Sequence, residues 1–469
     1  MNKRLSILLG AALMIGGCSL APSFTQPEAP VPEAWPSGPA YAAAGNTPGA
    51  PAAEIPWREF FTDERLQQII EKALVNNRDL RLAALNVQRA RAIYGIQRSA
   101  LYPAVDATAN GSKQRTPADL TSSGEVDYPE KYDVNLGVFA WEIDFFGRIR
   151  SLKDQALESY LATEQARRST QILIISAVAE AYLALDADKE NLNLAQTTLE
   201  AQQAAYQLIK RRVEVGIASE LDLNRAQTQV DIARGDRSRF TQLVAQDQNA
   251  LNFLVGTPMD VQDEMRSPDP ADVGPFKAIS AGISSEVLLK RPDILQAENI
   301  LKAANANIGA ARASLFPRIS LTTAIGTASS ELSGLFASGS GTWLFAPQIA
   351  MPVFDARLWS ALDVTKAEKE IVLVQYEKAI QTAFREVADA LAVQGTIDER
   401  LAAQQSLVGA ASETYRLSAA RYTKGIDNYL SVLDAHRSLY AAQQALVYLR
   451  LAKWANQVRL YAVLGGGAG

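Results

Sequence analysis

Hydrophobic and polar positions follow a helical period over most of this chain. Between Gly147 and Gly216, about 68 residues contain no glycine or proline, and good helix formers dominate them. This stretch predicts one unbroken helix roughly 100 Å long. A helix of that length is stable only against equally long partners. The chain predicts three of them, over residues 220–255, 358–424 and 426–464.

Four shorter stretches alternate with a period of two instead. They are residues 104–114, 132–145, 319–325 and 343–353, and the alternation in the second slips by one residue after Val138. A soluble β-sheet could give the same alternation. Aromatic residues on one side, polar residues on the other and the long loops 116–130 and 329–341 are, however, typical of lipid-facing barrel strands. This phase predicts Ile349 facing lipid at mid-depth and Gln348 facing the lumen.

Short segments recur in the second half of the chain. Two pairs are 214 positions apart and one pair is 209 apart: Asn77-Arg78-Asp79-Leu80 with Arg291-Pro292-Asp293-Ile294, Leu101-Tyr102-Pro103 with Leu315-Phe316-Pro317, and Val215-Gly216-Ile217 with Lys424-Gly425-Ile426. The chain therefore predicts an internal duplication. Each half would run helix, strand, strand, very long helix, tight turn and long helix.

The N-terminus predicts export. A basic head is followed by an apolar run over residues 5–15 and then by Gly16-Gly17-Cys18, which predicts a signal peptide cut before a lipidated Cys18. The alternative is an ordinary signal peptide that discards Cys18. Ser19 favours the outer membrane. Residues 19–56 hold nine of the twenty prolines and predict an extended arm without a core of its own.

Composition excludes several functions. One cysteine rules out internal disulfides, and the single histidine, His436, leaves no histidine cluster for a metal. We interpret His436 as a solvated helical residue. A net charge of −5 with both signs interspersed argues against nucleic acid. The apolar stretch 172–185, which Glu180 interrupts, predicts a packed helix. We therefore expect no enzyme, no cofactor and no metal.

Four membrane strands cannot form a closed sheet by themselves. Open edges are not tolerated in hydrocarbon, so several chains must combine. Two chains would give eight strands with a filled interior, and three would give twelve strands with room for a pore. The polar strand faces favour water inside, and hence three chains.

Several segments together resemble one family, the TolC superfamily of outer-membrane efflux ducts, in its OprM-like lipoprotein branch. They are Gly17-Cys18-Ser19-Leu20, Trp57-Arg58-Glu59-Phe60-Phe61, Trp141-Glu142-Ile143-Asp144-Phe145-Phe146-Gly147-Arg148, Arg291-Pro292-Asp293-Ile294 and Arg421-Tyr422-Thr423-Lys424-Gly425-Ile426-Asp427-Asn428-Tyr429-Leu430. The resemblance covers essentially the whole chain. The sequence departs from it in ending early, at Gly465-Gly466-Gly467-Ala468-Gly469.

The resemblance implies an all-α bundle combined with a transmembrane β-barrel. It implies a homotrimer with a 12-stranded β-barrel on a 12-helix periplasmic α-barrel and a mixed α/β equatorial belt, built here from residues 63–75, 256–285 and those after 460. It implies passive export of drugs and solvents, driven by an inner-membrane RND transporter through a periplasmic adaptor. The alternatives are a type I protein-secretion duct, a structural coiled-coil envelope lipoprotein and an envelope enzyme.

The resemblance also implies site residues. The turns Val215-Gly216-Ile217 and Lys424-Gly425-Ile426 would be periplasmic tips that dock the adaptor, unless their glycines only close the turns. Leu430 and Asp434, four apart on one helical face, would form closing rings. The alternative is that Leu430 packs between helices and Asp434 is a solvated charge. The repeat also places Arg225 at the height of Asp434, as a candidate ion-pair partner.

The predicted organisation has ten segments. They are 1–17 signal peptide, 18–56 lipidated arm, 57–101 first-repeat helices and equatorial segment, 102–147 first barrel hairpin, 148–255 first long helical hairpin, 256–285 equatorial segment, 286–316 second-repeat helix, 317–354 second barrel hairpin, 355–460 second long helical hairpin and 461–469 C-terminal tail.

Overall fold

A computed structural model describes residues 19–41, 50–258, 276, 277, 279, 280 and 284–467 of the chain. The predicted signal peptide, Cys18 and most of the predicted equatorial segment 256–285 lie outside the described residues. The chain divides into two compact units. The first combines Asn86–Glu164 and Gln296–Tyr376 with the described residues up to Glu28, and the second holds the rest.

The chain is mostly helical, and its four long helices confirm the prediction from the helical period. The helices are α1 Trp57–Phe60, α2 Glu64–Asn76, α3 Arg78–Ser99, α4 Arg148–Glu214, α5 Glu220–Val255, α6 Pro292–Ala313, α7 Ala356–Thr423 and α8 Tyr429–Val463. Capping side chains determine where several of these helices begin. Helix α8 begins three residues later than predicted because the Asn428 side chain accepts the Ser431 N–H at 3.3 Å.

The predicted second-repeat helix over 286–316 is wrong at its start. Ser285–Lys290 forms a 3₁₀ helix, and the α-helix begins only at Pro292. Proline lacks the N–H that the first helical position leaves unpaired, so it fits that position well. The residue before a proline avoids the helical region, and Arg291 accordingly has ψ of 139°.

The four predicted barrel strands form one antiparallel sheet. Its strands are β2 Asp106–Lys113, β3 Glu130–Ile143, β5 Arg318–Ser329 and β6 Gly341–Ala350, in the order β2-β3-β5-β6. The phase slip predicted after Val138 is confirmed as a register shift between Val138 and Trp141. Ala140 inside this bulge has φ of 53°, and its N–H donates to the Thr322 hydroxyl at 3.0 Å.

Residue pairing also decides which position lies in the middle of the sheet. Ile349 pairs with Ile319, the second residue of β5, so Ile349 lies near a strand end and its predicted mid-depth position is wrong. Phe345 pairs with Thr323, near the middle of β5. Alternation gives the face of a residue along a strand, but its depth depends on where the strand begins and ends.

The apolar part of α4 is packed inside the second unit, as predicted. Among the described residues, α4 is the helix whose length and composition suffice to cross a membrane, but half of its apolar window is buried in the chain itself. Within 172–185 the buried side chains include Ile175, Val178 and Leu185. These side chains face protein, which is typical of a helix in a bundle.

An aromatic cluster forms part of the core of the second unit. The Phe60 ring stacks on the Tyr461 ring at 4.0 Å, and Phe61 is fully buried beside them. The Tyr461 hydroxyl donates to the Ile55 carbonyl at 2.7 Å. The same unit holds a two-residue parallel pair, β1 Ala50–Pro51 with β4 Ile279–Ser280. The end of the arm, the start of α1 and the last helix therefore meet here.

The proline-rich arm lies against helices of both units. In the first unit, Asn305 Nδ2 donates to the Pro22 carbonyl at 2.8 Å, and a Cβ added at Gly309 would lie 2.7 Å from the Ala21 Cβ. In the second unit, the Trp35 ring stacks on Phe384 at 5.2 Å, and a Cβ at Gly395 would collide with the Ala40 carbonyl. Two helical glycines thus leave room for the arm backbone.

We expect Gly309→Ala and Gly395→Ala to release the arm, at a cost of about 1–3 kcal/mol each in the free energy of unfolding. Gly409 is the matched control, because it is helical and nothing lies within 4 Å of an added Cβ. Alanine there should be neutral or stabilising. Limited proteolysis of residues 19–41 is the measurement, and equal cleavage in all three variants would contradict the docked arm.

Candidate functional site

The turns between the long helices have the same backbone geometry. In the first, Gly216 has φ of 77° and the Ile217 N–H donates to the Arg212 carbonyl at 2.8 Å. In the second, Gly425 has φ of 73° and the Ile426 N–H donates to the Arg421 carbonyl at 3.0 Å. A left-handed glycine that closes a helix in this way is the Schellman motif.

Apolar side chains at these turns are left exposed. Val215 is 67% exposed and Ile217 74% in the first turn, and Ile426 is 58% exposed in the second. Lys424 and both glycines are exposed as well. A helix end also presents unpaired backbone groups, so each turn offers an apolar and hydrogen-bonding surface.

A buried cluster behind the turns joins the two hairpins. It consists of Ile209, Ala226, Tyr429, Val432 and Leu433, from α4, α5 and α8. Tyr206, Tyr415 and Tyr422 pack against its edge. The two hairpins are therefore held together close to their turns by apolar burial.

Equivalent arginines in the two turns have different partners. Arg421 forms an ion pair with Asp427 in its own turn, with distances of 2.6 and 3.1 Å. The corresponding position in the first turn is Ala218, and Arg212 instead places its guanidinium 5.0 Å from the centre of the Tyr422 ring on the other hairpin. Such a cation–π contact contributes about 0.5–1 kcal/mol at an exposed site.

Leu430 and Asp434 share one exposed face of α8. Leu430 is 40% exposed, and the Asp434 carboxylate accepts a bond from Arg437 Nη2 at 3.1 Å. The buried residues Tyr429 and Leu433 occupy the neighbouring stripe of the helix. The two predicted gate residues are thus adjacent and accessible in the single chain.

Two expectations near this site are corrected. Arg225 approaches Asp222 at 3.8 Å and Asp434 has Arg437, so within this chain Arg225 is not the partner of Asp434. His436 is not solvated: its Nδ1 lies 3.0 Å from Gln202 Nε2, its ring packs edge-on to Tyr415, and burial lowers its pKa. Helical period alone does not show that two other helices cover this face.

The far ends of both hairpins are tied in equivalent ways. Asn77 Nδ2 donates to the Leu254 carbonyl at 2.7 Å, at the end of α5. Arg291 Nη1 donates to the Val463 carbonyl, also at 2.7 Å, at the end of α8. Leu254 and Val463 are 209 positions apart, the same offset as the two turn glycines. Both donors occupy the first position of the recurring four-residue segment noted in the sequence.

The second tie is ionic, whereas the first is neutral. The Arg291 side chain is 10% exposed and pairs with Asp293 at 2.7 Å and with Glu386 at 3.0 Å. Asn77 is also buried, and its Oδ1 accepts the Asp79 N–H at 2.8 Å, which caps α3. The recurrence of the segment signalled these residues, but it did not show that they hold the ends of other helices.

Across the described ranges, three or more His, Cys, Asp or Glu side chains do not come together in a group that can hold a metal. What the two turns and the α8 face offer is exposed surface for other protein chains or for an aqueous path.

Comparison with known proteins adds independent information. A family model described as outer membrane efflux protein matches residues 69–257 and 283–466. The chain is 50% identical over 468 residues to the toluene efflux pump outer membrane protein TtgC of Pseudomonas putida, covering 100% of this chain and 96% of that protein. It is 40% identical over 457 residues to the outer membrane protein OprJ of Pseudomonas aeruginosa, with coverages of 97% and 94%.

Solved structures of outer-membrane channels are also similar to this chain. The chain is 38% identical to CusC with a TM-score of 0.84, covering 96% of this chain and 100% of that one. It is 35% identical to the open state of the Neisseria gonorrhoeae outer membrane channel MtrE with a TM-score of 0.83, covering 96% and 99%.

Proposed function

Because the chain belongs to the outer membrane efflux protein family, we propose that it is the outer-membrane duct of a three-part RND-type efflux pump. It is an outer-membrane protein and not an enzyme. The observation that carries the proposal is the four-stranded sheet with one apolar and one polar face. Such a sheet is stable in a membrane only as part of a closed, water-filled barrel, because open strand edges are not tolerated in hydrocarbon.

Strand pairing supports this division into two faces. Large apolar side chains align on one face across three strands: Leu136, Val138, Trp141 and Ile143 on β3, Ile319, Leu321 and Ile325 on β5, and Trp343, Phe345, Pro347 and Ile349 on β6. The opposite face carries Gly137 and Gly326, where an added Cβ would collide with the neighbouring strand. Glycines in a strand mark a close backbone approach or a bend of a closed sheet, which supports the polar face as the lumen side and the apolar face as the one that meets lipid.

Closure requires further copies of the chain. Among the described residues, β2 and β6 each pair on one side only, and three copies would join these edges into twelve strands. Helix α3 has no buried residue, and Ile93 and Ile96 on it are exposed. On α7, Trp359, Ile371 and Val374 are exposed as well. A neighbouring copy would cover these stripes, which supports the homotrimer and the 12-helix periplasmic tube.

The two halves of the chain are, in this proposal, copies of one unit. The matching turns and the matching ties at Leu254 and Val463 support it. Cys18, which lies outside the described residues, is proposed as the lipidated N-terminus of the mature protein. The intact mass of the purified mature protein checks this assignment.

The partners follow from the family. A periplasmic adaptor would connect the turns to an inner-membrane RND transporter, which supplies the energy. The names of the relatives favour toxic solvents such as toluene and antibiotics as cargo, rather than secreted proteins.

The test is expression in a strain that lacks its own channel but keeps adaptor and transporter. Restored solvent and antibiotic tolerance, together with single-channel conductance in a planar bilayer, is the expected result. A spacer lipoprotein would give neither, and a protein-secretion duct would conduct without restoring tolerance.

We propose that the exposed turns dock the adaptor, and we expect Gly216→Val and Gly425→Val to lower drug resistance while trimers still form. A β-branched residue at positive φ strains the turn by about 1–2 kcal/mol and moves the exposed isoleucine beside it. Asparagine tolerates this conformation and is the matched control at both positions. Minimum inhibitory concentrations are the measurement, and wild-type resistance in both valine variants would remove the docking role.

We propose that Leu430 and Asp434 form the periplasmic gate. Three leucines would exclude water and three carboxylates would attract cations. Leu430→Ala with Asp434→Ala should therefore raise single-channel conductance and sensitise cells to large antibiotics, and Asp434→Ala alone should weaken cation selectivity. Ser431→Ala, one residue from Leu430, is the control. Unchanged conductance and ion preference in the double variant would place the gate elsewhere.

A further inference from the structure

Two helices of the first unit continue from the edge strands of the sheet. Helix α3 leads into β2 through residues 100–105, and β6 leads into α7 through residues 351–355. In the part of the chain that the structure describes, β2 and β6 each have a paired strand on one side only. In the closed barrel proposed above, β2 of one copy would meet β6 of the next. Helices α3 and α7 would then meet at the same seam between copies, running in opposite directions.

One stripe of α3 packs inside the chain. Its half-buried positions include Val87, Ala90, Tyr94 and Gln97, which are alternately three and four residues apart. The Tyr94 ring stacks on Tyr160 of α4 at 6.5 Å, so this stripe faces the neighbouring helix of the same chain. Alternating steps of three and four residues are typical of helices that pack along their length.

A second stripe with the same steps lies on the opposite side of α3. It is displaced by two positions, which is about 200° around a helix. The residues of this outer stripe are Leu82, Leu85, Arg89, Ala92 and Ile96. Its two leucines and its isoleucine are 51–66% exposed. The single chain therefore leaves an apolar stripe of α3 uncovered.

Helix α7 repeats this arrangement. Its buried and half-buried positions include Leu358, Leu362, Thr365 and Lys369. An outer stripe is again displaced by two positions and consists of Ser360, Val364, Ala367, Ile371 and Val374. Its two valines and its isoleucine are 55–61% exposed. A solvated helix face does not need apolar residues at these steps, whereas a face that packs on another helix does.

The two outer stripes match in height and in side-chain size. Ile96, Ala92 and Arg89 lie three, seven and ten positions before the end of α3. Ser360, Val364 and Ala367 lie four, eight and eleven positions after the start of α7. At about 1.5 Å per residue, the members of each pair are at nearly the same distance from the sheet. Each pair also joins a larger side chain to a smaller one, as knobs-into-holes packing requires.

We propose that the outer stripe of α3 in one copy packs on the outer stripe of α7 in the next copy as an antiparallel coiled coil. The inference rests on the proposed homotrimer and goes beyond it by assigning the contact and its register. In that register Ile96 lies opposite Ser360, Ala92 opposite Val364 and Arg89 opposite Ala367.

Charge supports the same register. Arg89 is a charged residue within the outer stripe of α3, and a polar residue in such a stripe fixes the register of a coiled coil. Asp363 and Glu370 lie about one turn to either side of Ala367 on α7, and both are exposed. The guanidinium of Arg89 would therefore reach carboxylates of the next copy while its stem covers Ala367.

Cross-linking of engineered cysteines in the full-length, detergent-solubilised protein tests the proposal. A disulfide forms only where two Cβ atoms come within about 4.5 Å, so it reports direct contact. The double variants are Ile96→Cys with Ser360→Cys, Ala92→Cys with Val364→Cys and Arg89→Cys with Ala367→Cys. Oxidation should link copies into dimers and trimers on denaturing gels, several-fold more strongly than in the control, and reduction should reverse it.

The matched control is Arg91→Cys with Val364→Cys. Arg91 is exposed and precedes Ala92, so it lies about 100° away around α3. Ala92→Cys alone controls for Cys18, the single native cysteine, and should give no linked copies. Equal linking with Arg91→Cys and with Ala92→Cys would overturn the proposal, and so would intact trimers in which none of the three pairs links.

Native mass spectrometry of the same samples before oxidation separates this proposal from the homotrimer on which it rests. Trimers without cross-links refute the coiled-coil seam and leave the homotrimer intact. A monomeric wild-type protein refutes the homotrimer and the seam together. If one double variant does not assemble, the other two pairs decide, because each tests a different level of the same seam.

Discussion

Replacing Arg291 by alanine is expected to lower the free energy of unfolding by about 1.5–3 kcal/mol. The side chain is 10% exposed and binds Asp293, Glu386 and the Val463 carbonyl. Its removal leaves two carboxylates without their cation and frees the end of α8. The side chain of Asp293 is 41% exposed and that of Glu386 29%, so solvent screens the remaining carboxylates, and the loss comes mainly from the hydrogen bonds of the Arg291 guanidinium.

Three further variants make this expectation specific. The neighbouring Lys290 is exposed, so Lys290→Ala should melt as wild type does. Arg291→Asn copies the donor of the first repeat and should fall between wild type and alanine. Asn77→Ala removes the neutral tie and should cost about 1–3 kcal/mol.

Thermal melting followed by circular dichroism is the measurement for all four variants. The same melting temperature for Arg291→Ala and Lys290→Ala would show that the tie does not stabilise the fold. The hairpin end would then be held by apolar packing alone.

Placing a charge on the apolar sheet face is expected to prevent assembly. Phe345 is 61% exposed and pairs with Thr323 near the middle of β5, so Phe345→Arg should cost about 2–4 kcal/mol per copy in the membrane. Three copies would each bear this cost. Arginine at the strand end, as in Ile349→Arg, should cost only about 0–1 kcal/mol.

Ala346→Arg is the matched control. Ala346 follows Phe345, pairs with Thr322 and lies on the polar face of the sheet. An arginine in a water-filled lumen keeps its hydration. The yield of folded trimer in the outer membrane, read from heat-modifiable migration on gels, is the measurement. Equal yields for Phe345→Arg and Ala346→Arg would contradict the assignment of one face to lipid and the other to the lumen.

Local pattern was enough to predict the four long helices and the four strands of the antiparallel sheet. The absence of glycine and proline after Gly147 predicted α4, and the alternation around Val138 predicted β3 together with its bulge. These features depend on backbone preferences and on side-chain period within one element, which neighbouring residues determine. The late starts of α8 and α6 were missed because caps and prolines act over single residues.

The recurring segments carried information of another kind. They placed Asn77 and Arg291 at equivalent positions, and the resemblance of the whole chain indicated the family. Membership in that family is shown by the comparisons, whereas the trimer, the gate and the docking turns remain proposals for the experiments above.

Only the tertiary structure decided the partners of individual side chains. It shows that His436 contacts Gln202, that Arg291 donates a hydrogen bond to the Val463 carbonyl, and that Ile349 lies near a strand end. Each of these contacts joins residues that are distant in sequence or depends on the register between strands. The sequence alone determined which elements form and which faces are apolar, because those follow from local period. Which part of the protein covers each face depends on how elements distant in sequence pack together, and the local period does not determine this packing.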